Sequence, residues 1–138
     1  MQSNRSMPSS TVIPVLIYPD VDAAVEWLWR VFGFTLRLRI GSHRAQLSVG
    51  DGAIVVAEGR GAEGYDSVMV RVDDVEAHYA RSLENSAHIL APSMEYPYGE
   101  RQYTVEDLVG RSWTFSQSIA DVDPADWGGT LVSGGVGP

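Results

Sequence analysis

Three histidines, His43, His78 and His88, are the only imidazoles in this chain, and it has no cysteine. Thiolate–metal, iron–sulfur and disulfide chemistry are thereby removed together. What remains is coordination through His and carboxylates, or general acid–base work. No two histidines have the i, i+4 spacing that puts two imidazoles on one helix face. Each is expected at the surface or rim: His43 at a hairpin, His78 within a helix, His88 just after it. Glu58 shares a strand face with Val56, two residues before it, and is either a carboxylate reaching into a cleft from its edge or an exposed strand end. Arg101 and Tyr103 share a face with Val105, and either line a ligand site or tie a hairpin to the neighbouring loop. No Ser-His-Asp spacing and no phosphate-binding glycine loop is present, so nucleophilic and phosphoryl-transfer chemistry have no support.

The elements that must position these residues occur twice. VIPVLIYPDVDAAVEWLWRVFGF (Val12–Phe34) and SVMVRVDDVEAHYARSL (Ser67–Leu83) each read as a buried strand, an Asp at a helix start and an amphipathic helix. Asp20 and Asp74 are natural N-caps, 54 residues apart. In the first helix Val21, Val25, Leu28 and Phe32 fall on one face, and Gly33 sits where a left-handed cap would end it. Strand-rich sequence follows each helix. In the first half Leu36, Leu38 and Ile40 alternate with polar residues, Gly41-Ser42 turns the chain into HRAQLSV, and Gly50-Asp51-Gly52 turns it into AIVVAE. In the second half a short strand near Ile89 precedes ERQYTVE, a turn at Asp107–Gly110, and RSWTFSQ. The reading is α+β: two βαβββ modules that pair to enclose a cleft. Residues 1–10 are expected to be disordered, 11–59 to form the first module, 60–66 a linker, 67–118 the second module and 119–138 a tail. In the tail Asp123 and Pro124 predict one short helical turn ahead of a Gly-rich end.

The chain has 138 residues, 44% of them hydrophobic, and a net charge of -8. That size matches one ordinary globular domain able to bury a core. The acidity opposes binding to a phosphate backbone, which draws its affinity from Lys and Arg, and suits a cationic ligand or simple solubility. No window approaches a membrane span and the start is polar, so a cytoplasmic protein with no nucleic-acid or membrane partner is expected.

The paired units, the Pro-Asp and Asp-Asp ahead of the helices, and YGERQYTVEDLVGRSWTF (Tyr98–Phe115) resemble the vicinal oxygen chelate superfamily. Its members include glyoxalase I, extradiol dioxygenases, fosfomycin-resistance enzymes and bleomycin-resistance binding proteins. The likeness covers about Thr11 to Gln117 and is nearest the bleomycin-resistance branch. Leu108 and Arg111 depart from the usual turn, which carries Asp-Pro and then His or Asn after the glycine. In that superfamily the first and last strands of each module offer His, Gln or Glu to a metal. The equivalent positions here are Ile13, Val56, Ser67 and Thr114. Two aliphatic side chains and two hydroxyls are not a donor set for a divalent cation, so neither a metal nor another cofactor is expected.

By strand parity Ile13, Val15, Val56, Glu58, Ser67, Met69, Arg101, Tyr103 and Thr114 are expected to line the cleft, with Tyr98 in the loop beside it. Trp113 and Phe115, on the face opposite Thr114, are expected to pack under the second helix. The resemblance implies a homodimer that sequesters an amphipathic or aromatic, cationic small molecule. The alternatives are an enzyme whose metal has moved to His43, Glu58 or His88, and a metal-free enzyme using Glu58 or an Arg101-assisted Tyr103 as acid or base.

Overall fold

Each half of the chain folds as the repeat requires. In the computed structural model, which describes residues 4–60 and 67–131, the first half runs β1 (Val15–Tyr18), α1 (Val21–Trp27), a π-helical turn (Leu28–Phe32), β2 (Thr35–Ile40), β3 (Arg44–Val49) and β4 (Gly52–Glu58). The second runs β5 (Ser67–Arg71), α2 (Val75–Glu84), β6 (Ile89–Tyr96), β7 (Glu100–Glu106) and β8 (Ser112–Ser118), then a 3₁₀ turn at Pro124–Trp127. The sheets have matching orders, β1-β4-β3-β2 and β5-β8-β7-β6. In each, the strand before the helix pairs parallel with the last strand and the other pairs are antiparallel. Almost all of the expected linker, and the end of the Gly-rich tail, lie outside the described residues. No helix among the described residues is long and apolar enough to cross a membrane.

Both helices start at the expected Asp. The Asp20 and Asp74 carboxylates accept from the amides of Ala23 and Ala77, each at 3.0 Å, satisfying first-turn donors that have no helical partner. The first helix is not uniform, however. Its last turn widens to a π-helix before Gly33 closes it at φ 78°, and Leu28, Val31 and Phe32 are all buried. The carbonyls that this end leaves free are taken up by α2. Arg81 donates to the Trp29 and Arg30 oxygens at 2.9 and 3.2 Å, and His78 Nε2 donates to the Phe32 oxygen at 2.9 Å. Each cap crosses from one module to the other.

The modules share one core. Tyr18, Leu28, Phe32, Phe34, Leu47 and Val56 of the first pack in a single cluster with Val75, Tyr103, Val105, Trp113 and Phe115 of the second. The Phe32 ring meets Trp113 and Phe115 edge-on, with centroids 5.6 and 4.9 Å apart. Such aromatic pairs add about 1 kcal/mol each beyond the area they bury. Because the helix-side faces of both sheets feed this cluster, the outer faces are turned away from it.

A second junction is polar. The Asp107 carboxylate, at the end of β7, accepts from the Tyr18 hydroxyl at 2.7 Å and the Trp113 indole at 3.0 Å through one oxygen. Its other oxygen accepts from the amides of Val109 and Arg111, at 3.1 and 2.9 Å. The Arg111 guanidinium lies 4.7 Å from the centre of the Tyr18 ring and donates to the Ile17 carbonyl. Burial, then the neighbouring Asp107 charge, pushes the Tyr18 hydroxyl far above its ordinary pKa, so it remains a donor.

Candidate functional site

The hairpin around Asp107 decides which side chains can reach a ligand. Its loop is five residues, Asp107–Arg111, rather than the four expected: the Asp107 amide bonds the Arg111 carbonyl, and Glu106 pairs with Ser112. That one residue reverses the expected faces of β7. Tyr103 stands opposite Phe115, and Arg101 opposite Gln117, on the helix side of the sheet. Tyr103 is 1% exposed, and its hydroxyl donates to His78 Nδ1 and accepts from Ser82. Arg101 meets Glu76 of α2 and Glu95. The structural option for these two residues is the observed one, and Tyr103 is not placed to protonate a ligand.

A similar slip occurs in the first module. The loop between β3 and β4 is two residues, with Val49 paired to Gly52, and β1 pairs Val15 with Val55 and Leu16 with Val56. Val56 is therefore fully buried beneath α1 rather than in a cleft. Glu58 pairs with Tyr18 and follows the same parity, as an exposed strand end. Of the remaining sequence-derived residues, Ser67, Met69 and Thr114 lie on the outer face of the second sheet, and Val15 on that of the first. Ile13 precedes β1, half-buried. Tyr98 stands in the β6–β7 turn and donates to Gln102 at 3.1 Å.

His78 also departs from its expected surface position. Burial lowers its pKa to about 4, with the nearby Arg81 charge acting in the same direction and the Phe32 hydrogen bond acting against both. It is a neutral inter-module strut. His88 pairs with Glu106 at 3.0 Å and is exposed, and His43 stands in the β2–β3 turn of the other module. Among the described residues no three His, Asp or Glu side chains converge. The displaced metal site drawn from His43, Glu58 and His88 is thus not assembled. At the superfamily's ligand positions the Thr114 hydroxyl is paired with Thr104 at 2.9 Å, and the other donor is the Ser67 hydroxyl; this set does not fit a divalent metal.

The outer faces of the two sheets carry different groups. On the first, residues Asn4–Ser10 run alongside: Gln46 donates to the Ser6 carbonyl at 3.0 Å, and Arg37 to the carbonyls of Arg5 and Met7. Val55 beside Gln46 is 3% exposed. On the second, a hydroxyl and amide ladder spans β7 and β8. Gln102 donates to Ser116 at 3.0 Å, Ser116 donates to Glu100 at 2.7 Å, and Thr104 faces Thr114. Met69 and Met94 are exposed on this face, while Gln102 and Ser116 at the centre of the ladder are buried. Burial works against the Glu100 charge, but bonds from Ser118 and Ser116 and the field of Arg71 outweigh it, so its pKa falls below the usual carboxylate value. Two further cavities lie elsewhere: one of about 550 Å³ at the module junction, lined by Phe34, Asp51, Asp73 and His78 among others, and one of about 340 Å³ between α1 and β2. None of the ten sequence-derived site residues lines either.

Residues 11–115 match the profile of the Glyoxalase/Bleomycin resistance protein/Dioxygenase superfamily. The chain belongs to this superfamily. Among solved structures it is similar to TioX from Micromonospora sp. ML1, at 38% identity and a TM-score of 0.69 over 83% of this chain and 100% of that one. It shares the fold of a lactoylglutathione lyase from Agrobacterium tumefaciens, at 17% identity and a TM-score of 0.64 over 80% of this chain and 94% of that one. It likewise shares the fold of the fosfomycin resistance protein FosX from Listeria monocytogenes, at 16% identity, a TM-score of 0.65 and the same coverage. Comparison with curated proteins gives no match. The superfamily holds both enzymes and resistance proteins, so membership fixes the fold and leaves the function to this chain's own residues.

The tail after β8 packs against the β6–β7 turn. Ile119 and Ala120 donate their amides to the Gly99 carbonyl, at 2.8 and 3.3 Å, which docks the tail on the β6–β7 turn. Gly99 has φ 82°, and a Cβ there would lie 2.4 Å from the Ala120 oxygen. Replacing Gly99 with Ala is expected to cost about 1–2 kcal/mol and to raise amide exchange at Ile119 and Ala120. A melting temperature and exchange profile like those of wild type would show that this dock is not held as described.

Proposed function

We propose that the protein is a metal-free small-molecule-binding protein of the bleomycin-resistance type, which holds an amphipathic or aromatic compound on the outer face of its second sheet. The observation that carries this reading is the donor set: hydroxyls, amides and thioethers line that face, its carboxylates Glu100 and Glu106 stand at opposite ends of β7, and among the described residues no three His, Asp or Glu converge, where the superfamily's metalloenzymes need several strong ligands. Such a surface binds by shape, hydrogen bonds and polarizable contact. A net charge of -8 favours a cationic ligand by long-range attraction.

A homodimer fits the same geometry. Within one chain the outer faces point away from the shared core, and Val15 and Met69 on them are 50% and 64% exposed. A second copy laid against these faces would close a cleft that one copy leaves open.

The deciding experiment is elemental analysis of purified protein before and after dialysis against nickel, zinc or manganese, with melting curves. The expected result is substoichiometric metal and an unchanged melting temperature. A near-stoichiometric ion with a raised melting temperature would overturn the metal-free reading, since a ligand bound only by the folded state must stabilise it.

A further inference from the structure

The tail beyond residue 115, outside the stretch shared with the superfamily, brings an aromatic group against Tyr98 of the β6–β7 turn, whose hydroxyl bonds the outer-face Gln102. Asp123 accepts from the Ala125 amide at 3.1 Å, Pro124 opens the 3₁₀ turn, and Gly128 closes it at φ 93°. Gly129 then donates to the Pro124 carbonyl at 2.7 Å. This short, capped turn holds Trp127, whose indole remains 47% exposed. Its ring meets Tyr98 edge-on at 5.5 Å, and Tyr98 stacks on Tyr96 at 5.5 Å with 20° between planes. A large aromatic side chain held in place yet half in water is poised to gain by contact with another ring.

The charge beside it has one dominant sign. Glu100 stands directly opposite Tyr96 across the β6–β7 pair, and, after burial and the neighbouring Tyr96, its charge raises the Tyr98 hydroxyl's pKa. The tail adds Asp121, Asp123 and Asp126. Arg71 is the basic group whose field reaches Glu100, and its single charge stands against these four carboxylates. Aromatic faces and carboxylates together select organic cations, since both favour positive charge and the rings also take up apolar surface.

We infer that Tyr96, Tyr98 and Trp127 form with Glu100 an aromatic, anionic corner that binds a planar aromatic cation, with Trp127 as the platform on which the ring stacks. The inference rests on the proposed small-molecule-binding role and names the ligand class and a specificity-determining residue outside the repeat. Tyr98 also links the corner to the Gln102–Ser116 ladder through its hydroxyl, so hydrogen-bonding groups on the ring edge would meet the ladder.

The test titrates full-length protein with 9-aminoacridine, a planar cation at neutral pH, and with uncharged acridine at pH 8. Binding is read by calorimetry and by tryptophan quenching. Wild type is expected to bind the cation near one per chain and acridine at least tenfold more weakly. Trp127→Ala is expected to weaken the cation about tenfold and Glu100→Gln about threefold to tenfold, with melting temperatures retained. Trp29→Ala, which removes an exposed indole in the π-helical turn of the first module, is expected to bind as wild type. Equal affinity of Trp127→Ala and wild type would overturn the platform while leaving the binding-protein reading intact. Equal affinity for acridine would overturn the choice of a cation. No binding of either probe to wild type would overturn the ligand class, and the metal analysis above would still decide the broader reading on its own.

Discussion

Replacing Asp107 with Ala is expected to destabilise the protein by about 4 kcal/mol, the range found when one partner of a buried ion pair is removed. The reason lies in how many groups depend on one carboxylate. Tyr18 and Trp113 donate to it from two modules, and the amides of Val109 and Arg111 donate to it from its own loop. Without it the Tyr18 hydroxyl and the Trp113 indole would be buried donors with no acceptor, each costing about 1–3 kcal/mol. Arg111, whose Nη1 lies 3.6 Å from the carboxylate and has no hydrogen-bond partner among the described residues, would lose its counter-charge. The five-residue loop would also lose the two amide bonds that set its length. A melting temperature lower by about 10–15 °C is the expected reading. Tyr18→Phe removes one donor and leaves the rest, so a loss of about 1 kcal/mol is expected. If Asp107→Ala cost no more than Tyr18→Phe, the hub described here would not be the joint between the modules.

Acid sensitivity gives the second large effect. His78 has a pKa near 4 in the folded chain against an ordinary 6.5. A depressed folded value means that the unfolded chain binds its proton first. Stability is then fully present above about pH 6.5 and is lost as pH falls through 4, by about 3 kcal/mol in all. Between pH 7 and 4.5 the share is about 2 kcal/mol. His78→Gln keeps a donor for the Phe32 carbonyl and an acceptor for Tyr103 but cannot titrate. Urea unfolding at the two pH values should therefore show a smaller acid loss in this variant, by about 2 kcal/mol. Parallel losses in variant and wild type would mean that the imidazole is not held neutral between the modules.

The two effects share a structural meaning. Asp107 and His78 each connect one module to the other, and neither faces the proposed ligand surface. Stability of the joint and ligand recognition are thereby separable, which allows the Trp127 and Glu100 variants to be read as binding effects.

The repeat, the superfamily, both helix starts and the division of β8 into an aromatic face and a hydroxyl face are legible in the residues alone. These follow from local periodicity and from Asp, Gly and Pro acting on their near neighbours, so no distant contact is needed to see them. The placement of Ser67, Met69 and Thr114 on the outer face followed from the same parity. The remaining features depend on contacts between distant parts of the chain. Strand register depends on loop length, and in Asp107–Arg111 that length depends on a carboxylate recruited by Tyr18 from 89 residues away. One extra loop residue carried Tyr103 and Arg101 to the helix side, and the parallel pairing of β1 with β4 carried Val56 there too. His78 looked like a surface residue because its partners, the Phe32 carbonyl and Tyr103, are distant in sequence. Trp127 could be read as part of a short turn, but its approach to Tyr98 appears only when Ile119 and Ala120 dock on Gly99. Local chemistry writes the elements; which face meets a ligand is set by contacts that close only when the chain is folded.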